Sequence, residues 1–326
     1  MKVVITGGGG FLGSRLAKAL LAGGTLAGSD GAPQKISKLT LLDRAFPPLP
    51  SDERLETIEG DISDARVVAR AIAPDTGSIF HLAAVVSGAA EADFDLGMRV
   101  NLDGMRRVLE QARKCTRPPR VVFSSSVAAF GGDLPEVLDD STTPTPQTSY
   151  GSQKVMGEYL VSDLSRKGYI DGRSLRLPTI VVRPGKPNAA ASSFASAVIR
   201  EPLSGVDYEC PLPPETGVWL LSPRRVTEAF VHAHELAASA WGWNRVVNLP
   251  GITVSVAEMM QAMSKIAGAE TAKRVRWKPD ARIEAIVRGW PVRFATPRAL
   301  ALGFRPDPDI AAVIREHVAD EGVRAG

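Results

Sequence analysis

In Tyr150-Gly-Ser-Gln-Lys154 a phenol and an amine stand four residues apart, the spacing that puts two side chains on one face of a helix. A phenol with a solution pKa near ~10 is a poor base at neutral pH unless a cation stabilises its anion. Lys154 is such a cation, so the pair points to Tyr150 as acceptor of a hydroxyl proton. Upstream, Ser124-Ser125-Ser126 closes an apolar run. A serine there can hydrogen-bond the oxygen that loses its proton; capping the strand end is the alternative use.

A second motif stands at the N-terminus. Lys2 to Thr6 reads as a buried strand, followed by Gly7, Gly8, Gly9, Gly10 and then Phe11-Leu12-Gly13. Glycines at 7, 10 and 13 allow a turn of positive φ, a close approach of backbone N–H groups to a pyrophosphate, and a helix lying close to the sheet. Gly8 and Gly9 are read as tolerated rather than required. The helix start at Phe11 and Leu12 adds unpaired N–H groups and the positive end of its dipole. Asp43 ends the next strand, 30 residues beyond Gly13 rather than the usual ~20. Its carboxylate can accept from the adenosine ribose hydroxyls and repels a 2′-phosphate, so the cofactor expected is NAD; Arg44 beside it is the residue an NADP reading would use. Asp61 and Ile62 follow the third strand, either near the adenine or as part of a helix N-cap region.

These residues need a scaffold that delivers strand ends to one edge. Strands are expected at Lys2 to Thr6, Leu39 to Leu42, Leu55 to Glu59, Ser78 to Leu82, Arg120 to Ser125 and Ser174 to Leu177. Helical patterns at 11–22, 64–73, 92–115 and 150–167 alternate with them. This is an α/β chain with a Rossmann-type doubly wound parallel sheet and a smaller C-terminal substrate region. The expected division is 1–180 for the NAD-binding domain, its sheet edge completed by about 216–250, with 181–215 and 251–326 forming the substrate region. The helix from Asp309 to Glu321 is read as a solvated cap.

At 326 residues and 44% apolar content the chain can bury a full core. No run approaches the ~20 apolar residues of a membrane span, and a strand beginning at residue 2 leaves no room for a leader, so the cytoplasm is expected. The 39 basic and 36 acidic residues give +3 with no basic run, which argues against nucleic acid or membrane surfaces as partners. Cys115, on a helical pattern, and Cys210, in a proline-bounded loop, suit reduced thiols. His232 and His234 do not share a helix face, so no metal pair is expected.

Thr6 to Gly13, His81-Leu82-Ala83-Ala84, Ser124 to Ser126 and Tyr150-x-x-x-Lys154, in that order, resemble the extended short-chain dehydrogenase/reductases, a family that includes NAD-dependent sugar epimerases and dehydratases. The resemblance spans about residues 1–250. It implies that Ser126 assists Tyr150, that Ser125 lies close to substrate, and that Ser124, Tyr150 and Lys154 adjoin the cofactor. It further implies that Leu82, Ala83 and Ala84 line the cofactor, that Asn101 is a structural polar residue near it, and that Pro178 and Ile180 flank the nicotinamide. Where nucleotide-sugar enzymes carry an arginine and an Asp-Val pair, this chain has Val218-Trp219 and Arg225-Val226. The overall sequence is similar to members that oxidise the C2 hydroxyl of a small sugar acid. Lys186, Asn188, Ser192 and Arg225 are candidates for holding such a substrate, with surface solvation the alternative for each. A nucleotide-sugar epimerase or dehydratase, and a non-catalytic NAD sensor, are the competing functions. Relatives commonly pair through two long helices, here 92–115 and 150–167, so a homodimer is a possible assembly.

Overall fold

The computed structural model describes residues 1–185 and 192–322. Its main sheet has seven strands: β1 Lys2–Thr6, β2 Lys38–Asp43, β3 Leu55–Glu59, β4 Thr76–His81, β5 Arg120–Ser126, β6 Asp171–Leu177 and β7 Val246–Asn248. The spatial order is β7-β6-β5-β4-β1-β2-β3, with parallel pairing from β3 through β1 to β5. Chain order reverses between β1 and β4, the place where open α/β sheets bind ligands beyond their strand ends. Val3, Val4 and Ile5 are all buried, as expected of a strand covered on both faces.

The helices are built to cover that sheet. α1 (Phe11–Gly23) buries Gly13, Leu16, Ala17, Leu20 and Leu21 and stops where Gly24, at φ 70°, donates its N–H to Leu20 O. The third helical segment runs through Phe94–Gly97, Met98–Gly104 and Met105–Ala112, its middle stretch a π-helix. A further helix, α2 (Ser149–Arg166), is capped by the Thr148 hydroxyl, which accepts from Gly151 N. The insertion before β2 folds as a small hairpin of Thr25–Ala27 against Pro33–Lys35.

The chain forms two compact units: residues 1–129, 146–176 and 227–247, and residues 130–145, 177–226 and 248–326. In the first, helix Pro223–Glu235 ends on two buried arginines, Arg120 donating to His234 O and Arg173 to Leu236 O, each at 2.8 Å. The second contains a three-stranded sheet of Ile252–Ser255, Gly217–Leu221 and Thr179–Ile180, so residues 217–221 pair there and only Val246–Asn248 extends the main sheet. Cys210 lies in a strand, Tyr208–Cys210, paired with Val275–Trp277, where a loop was expected. The C-terminal helix Ile310–Glu321 is not a solvated cap. Val313 and Ile314, at 1% and 0% exposure, join the apolar core around Met259 and Met263, because Ile310, Val313, Ile314 and Val318 follow helical spacing. Among the described residues no helix is long and apolar enough to cross a membrane.

Candidate active site

The glycine turn is enforced atom by atom. Gly7 has φ +74°, and a methyl group there would fall 2.7 Å from Ala83 N, so the turn presses against the segment after β4. A methyl on Gly13 would fall 2.1 Å from Gly7 O, and one on Gly9 2.1 Å from Ala45 O. Gly8 faces Leu41 Cβ at 2.7 Å on the same test. Gly8 and Gly9 are therefore required by packing, a correction to their reading as tolerated. Gly10 differs: its φ is −73°, it is exposed, and a methyl would meet only Gly7 O at 3.2 Å. No side chain caps α1 there. A side chain at Gly10 would enter open space at the start of α1, where the first-turn amides of Phe11, Leu12 and Gly13 suit an anion.

Asp43 sits beside this turn, with Oδ2 accepting from Gly9 N at 2.9 Å and Oδ1 from Arg44 N at 2.7 Å. Each carboxylate oxygen keeps a second lone pair for a ribose hydroxyl. Asp61 accepts from Ser63 N at 2.8 Å in the turn before the next helix, whose N-cap is Asp64, while the Ile62 side chain is buried in the core against Gly104. Leu82, Ala83 and Ala84 are half-buried after β4. Asn101, in the π-helical stretch, bonds Val85 N at 2.7 Å, Val85 O at 3.1 Å and Gln153 Oε1 at 2.7 Å. Its polar groups hold the loop after β4 against α2, the structural role expected. π-turns recur where a helix must turn a side chain to such a task.

At the end of β5 the three serines divide the work. The Ser124 carbonyl accepts from Lys154 Nζ at 2.7 Å; the Ser125 hydroxyl donates to Glu158 Oε1; Ser126 Oγ, half-buried, accepts from Ala128 N at 3.1 Å. Ser125 is 1% exposed and committed to Glu158, so its geometry is that of an anchor between β5 and α2 and does not match the substrate contact expected of it. Gly151 explains the second letter of the tyrosine motif: a methyl there would fall 2.1 Å from Ala128 O, so only glycine lets α2 start this close to the segment after Ser126. Lys154 Nζ lies 5.4 Å from the Tyr150 ring centroid and 4.9 Å from that of Phe123. Burial pushes its pKa down to about 7, against the opposing pull of Glu158. His81, stacked on Phe123 and bonded through Nδ1 to Thr6 Oγ1 at 2.7 Å, is held neutral, its pKa lowered to about 3 by burial and then by Lys154.

The remaining candidates belong to the second unit. Pro178 and Ile180 are buried at its three-stranded sheet. The Ser192 hydroxyl accepts from Arg183 Nη2 at 2.9 Å. Arg225 donates its backbone N–H to Ser222 Oγ and faces Asp307, whose carboxyl is raised by burial against the pull of Ser222, Arg225 and Arg224. Lys186 and Asn188 lie outside the described residues. Sequence reasoning missed Gln153, Glu158 and Arg176. Glu158 stands four residues past Lys154, so the same spacing that picked out the lysine carried the signal.

Residues 3–241 match the NAD dependent epimerase/dehydratase family. The chain is 56% identical to the D-erythronate dehydrogenase of Cupriavidus necator over 99% of each chain, and 44% identical to that of Haemophilus influenzae over 98% of this chain and 99% of the other. A solved structure described as a nucleoside-diphosphate-sugar epimerase from Agrobacterium tumefaciens superposes with a TM-score of 0.94 at 38% identity, covering 100% of this chain and 96% of the other. A family match over residues 3–241 and 56% identity along the whole length of a relative lead to one conclusion: the chain belongs to the NAD dependent epimerase/dehydratase family.

Proposed function

We propose that this chain is an NAD-dependent dehydrogenase that oxidises the C2 hydroxyl of a small sugar acid, converting D-erythronate to 2-dehydro-D-erythronate. The observation that carries the reading is end-to-end similarity, at 56% identity, to a D-erythronate dehydrogenase in a chain that keeps Ser126, Tyr150 and Lys154 together at one sheet edge. In this reading Ser126 donates a hydrogen bond to the C2 oxygen and Tyr150 accepts the hydroxyl proton. Lys154, anchored on Ser124 O, holds positive charge beside the phenolate. Bound NAD supplies the hydride acceptor, with the glycine turn and Asp43 as its diphosphate and ribose sites. As the O–H proton passes to Tyr150, hydride leaves C2 and the C2–O bond becomes a carbonyl. Ser192 and Arg225 are the candidates for substrate contacts in this reading.

The likeness to a nucleoside-diphosphate-sugar epimerase structure favours a second reading, in which hydride returns to a nucleotide sugar. Absorbance of NADH separates the two. Net reduction with D-erythronate among a panel of aldonic acids is expected, and silence with every acid alongside conversion of a nucleotide sugar would reverse the choice. A sensor that only binds NAD would do neither. In the same reading the protein works in the cytoplasm as a homodimer paired through the helices spanning 94–112 and 149–166. There Phe94, Met156 and Tyr159 are 58%, 36% and 68% exposed. Sedimentation at twice the chain mass is the expected result.

A further inference from the structure

Behind the candidate active site lies an ion pair that the proton-transfer chemistry does not itself use. Glu158 and Arg176 have side chains 4% and 11% exposed and are joined by two bonds, Arg176 Nε to Oε1 at 2.8 Å and Nη2 to Oε2 at 2.7 Å. Removing one member of such a pair is strongly destabilising, whereas replacing both by apolar groups is often neutral, so stability alone does not explain keeping it. Its attachments point to another use. Glu158 is one turn from Lys154 on α2; Oε1 also accepts the Ser125 hydroxyl; and Lys154 itself is tied to the carbonyl of Ser124, the residue before Ser125. Two consecutive residues of β5 thus grip two consecutive turns of α2. Gly157 permits the approach, since a methyl there would fall 2.9 Å from the Phe123 ring.

Resting on the reading of Tyr150 and Lys154 given above, we propose that Glu158, fixed by Arg176 and Ser125, is a positioning residue that holds the Lys154 ammonium on Ser124 O, beside Tyr150. The charged and titratable groups around Lys154 bear this out. On α2 they are Tyr150 and Glu158, on β4 His81, and on β6 Arg176, which is bonded to Glu158. His81 is neutral, so Glu158 is the anion that offsets the burial of Lys154. Lys154 loses charge without it, and Tyr150 then forms its phenolate only at higher pH.

The direct test titrates Lys154 itself. In protein labelled with 15N-lysine, the Nζ resonance absent from Lys154→Met is followed with pH in wild type and Glu158→Gln, both without cofactor. The expected result is a midpoint lower by about one pH unit in Glu158→Gln, a tenfold change in proton affinity. An unchanged midpoint in a folded Glu158→Gln protein would overturn the proposal. Should that variant fail to fold, Glu158→Leu/Arg176→Met, with neither charge, takes its place and is expected to move the midpoint in the same direction; no movement there counts equally against it. In turnover, Glu158→Gln should lose about tenfold in kcat/KM at pH 7 and recover by pH 9, whereas a merely structural role would lower activity equally at both. The titration needs no substrate, so it stands even if the choice of D-erythronate fails.

Discussion

The glycine turn and the serine–tyrosine–lysine edge adjoin the same end of the sheet, yet they are built on opposite principles. Around the turn the requirement is for atoms to be absent: methyl groups at Gly9 and Gly13 would each fall 2.1 Å from a backbone oxygen. At the edge the requirement is for charge to be present where burial disfavours it, with Lys154 3% exposed and Glu158 likewise 3% exposed. Errors of the first kind are steric and independent of pH. Errors of the second kind are electrostatic, graded and dependent on pH. In the proposed function, binding rests on backbone shape and turnover on a few buried charged side chains.

The largest effect that sharpens this contrast is expected from Tyr150→Phe, which should lower kcat by about 10³-fold, within the range for loss of a general base, while NADH affinity by fluorescence stays within about threefold. A variant retaining more than a tenth of wild-type kcat would break the division between binding and turnover. Next, Gly13→Ala should destabilise the apoprotein by about 2–3 kcal/mol in urea unfolding and weaken NADH binding at least tenfold, because the neighbouring atoms are backbone and cannot rotate away. Gly10→Ala should separate the two losses, with NADH affinity down about tenfold but unfolding free energy within about 0.5 kcal/mol of wild type. If Gly10→Ala proved as destabilising as Gly13→Ala, the space above Gly10 would be a packing feature and not a ligand cradle.

The smallest effect concerns pH. His81 has its folded pKa depressed to about 3 from an unfolded value near 6.5, so its contribution to stability is complete above pH 6.5 and is lost as pH falls towards 3. Between pH 6.5 and 5 it should cost the apoprotein about 2 kcal/mol, at about 1.4 kcal/mol per pH unit for one proton. His81→Gln should remove that slope from urea unfolding curves, and an equally steep slope in the variant would assign the acid sensitivity elsewhere.

How much of this was legible in the sequence follows from the same contrast. The main strands and helices were readable because buried parallel strands are continuous apolar runs and their covering helices repeat every three to four residues, as in Val3 to Ile5 and Leu16 to Leu20. Tyr150 and Lys154 were readable because helical spacing alone places them on one face. Gly8 and Gly9 were not, since the atoms that exclude a side chain, Leu41 Cβ and Ala45 O, come from a distant part of the chain. The use of Ser125 was hidden for a similar reason: a serine at a strand end can serve substrate or scaffold, and only the buried Glu158 and Arg176 decide between them. The second unit was least legible. Its strands are short, as Tyr208–Cys210 and Val275–Trp277 illustrate, and they pair across more than 60 residues of intervening chain, a relation that periodicity does not encode.

In the proposed reaction, C2 of a small sugar acid gives up hydride while Tyr150 takes the hydroxyl proton. D-Erythronate deuterated at C2, incubated with NAD and the purified protein, tests it most directly. Expected are a 2-keto acid free of deuterium, one deuterium on the nicotinamide ring of the NADH formed, and both products formed about 10³-fold more slowly with Tyr150→Phe. NADH that carries no deuterium, deuterium retained in the organic product, or undiminished rates in the Tyr150→Phe protein would overturn the assignment.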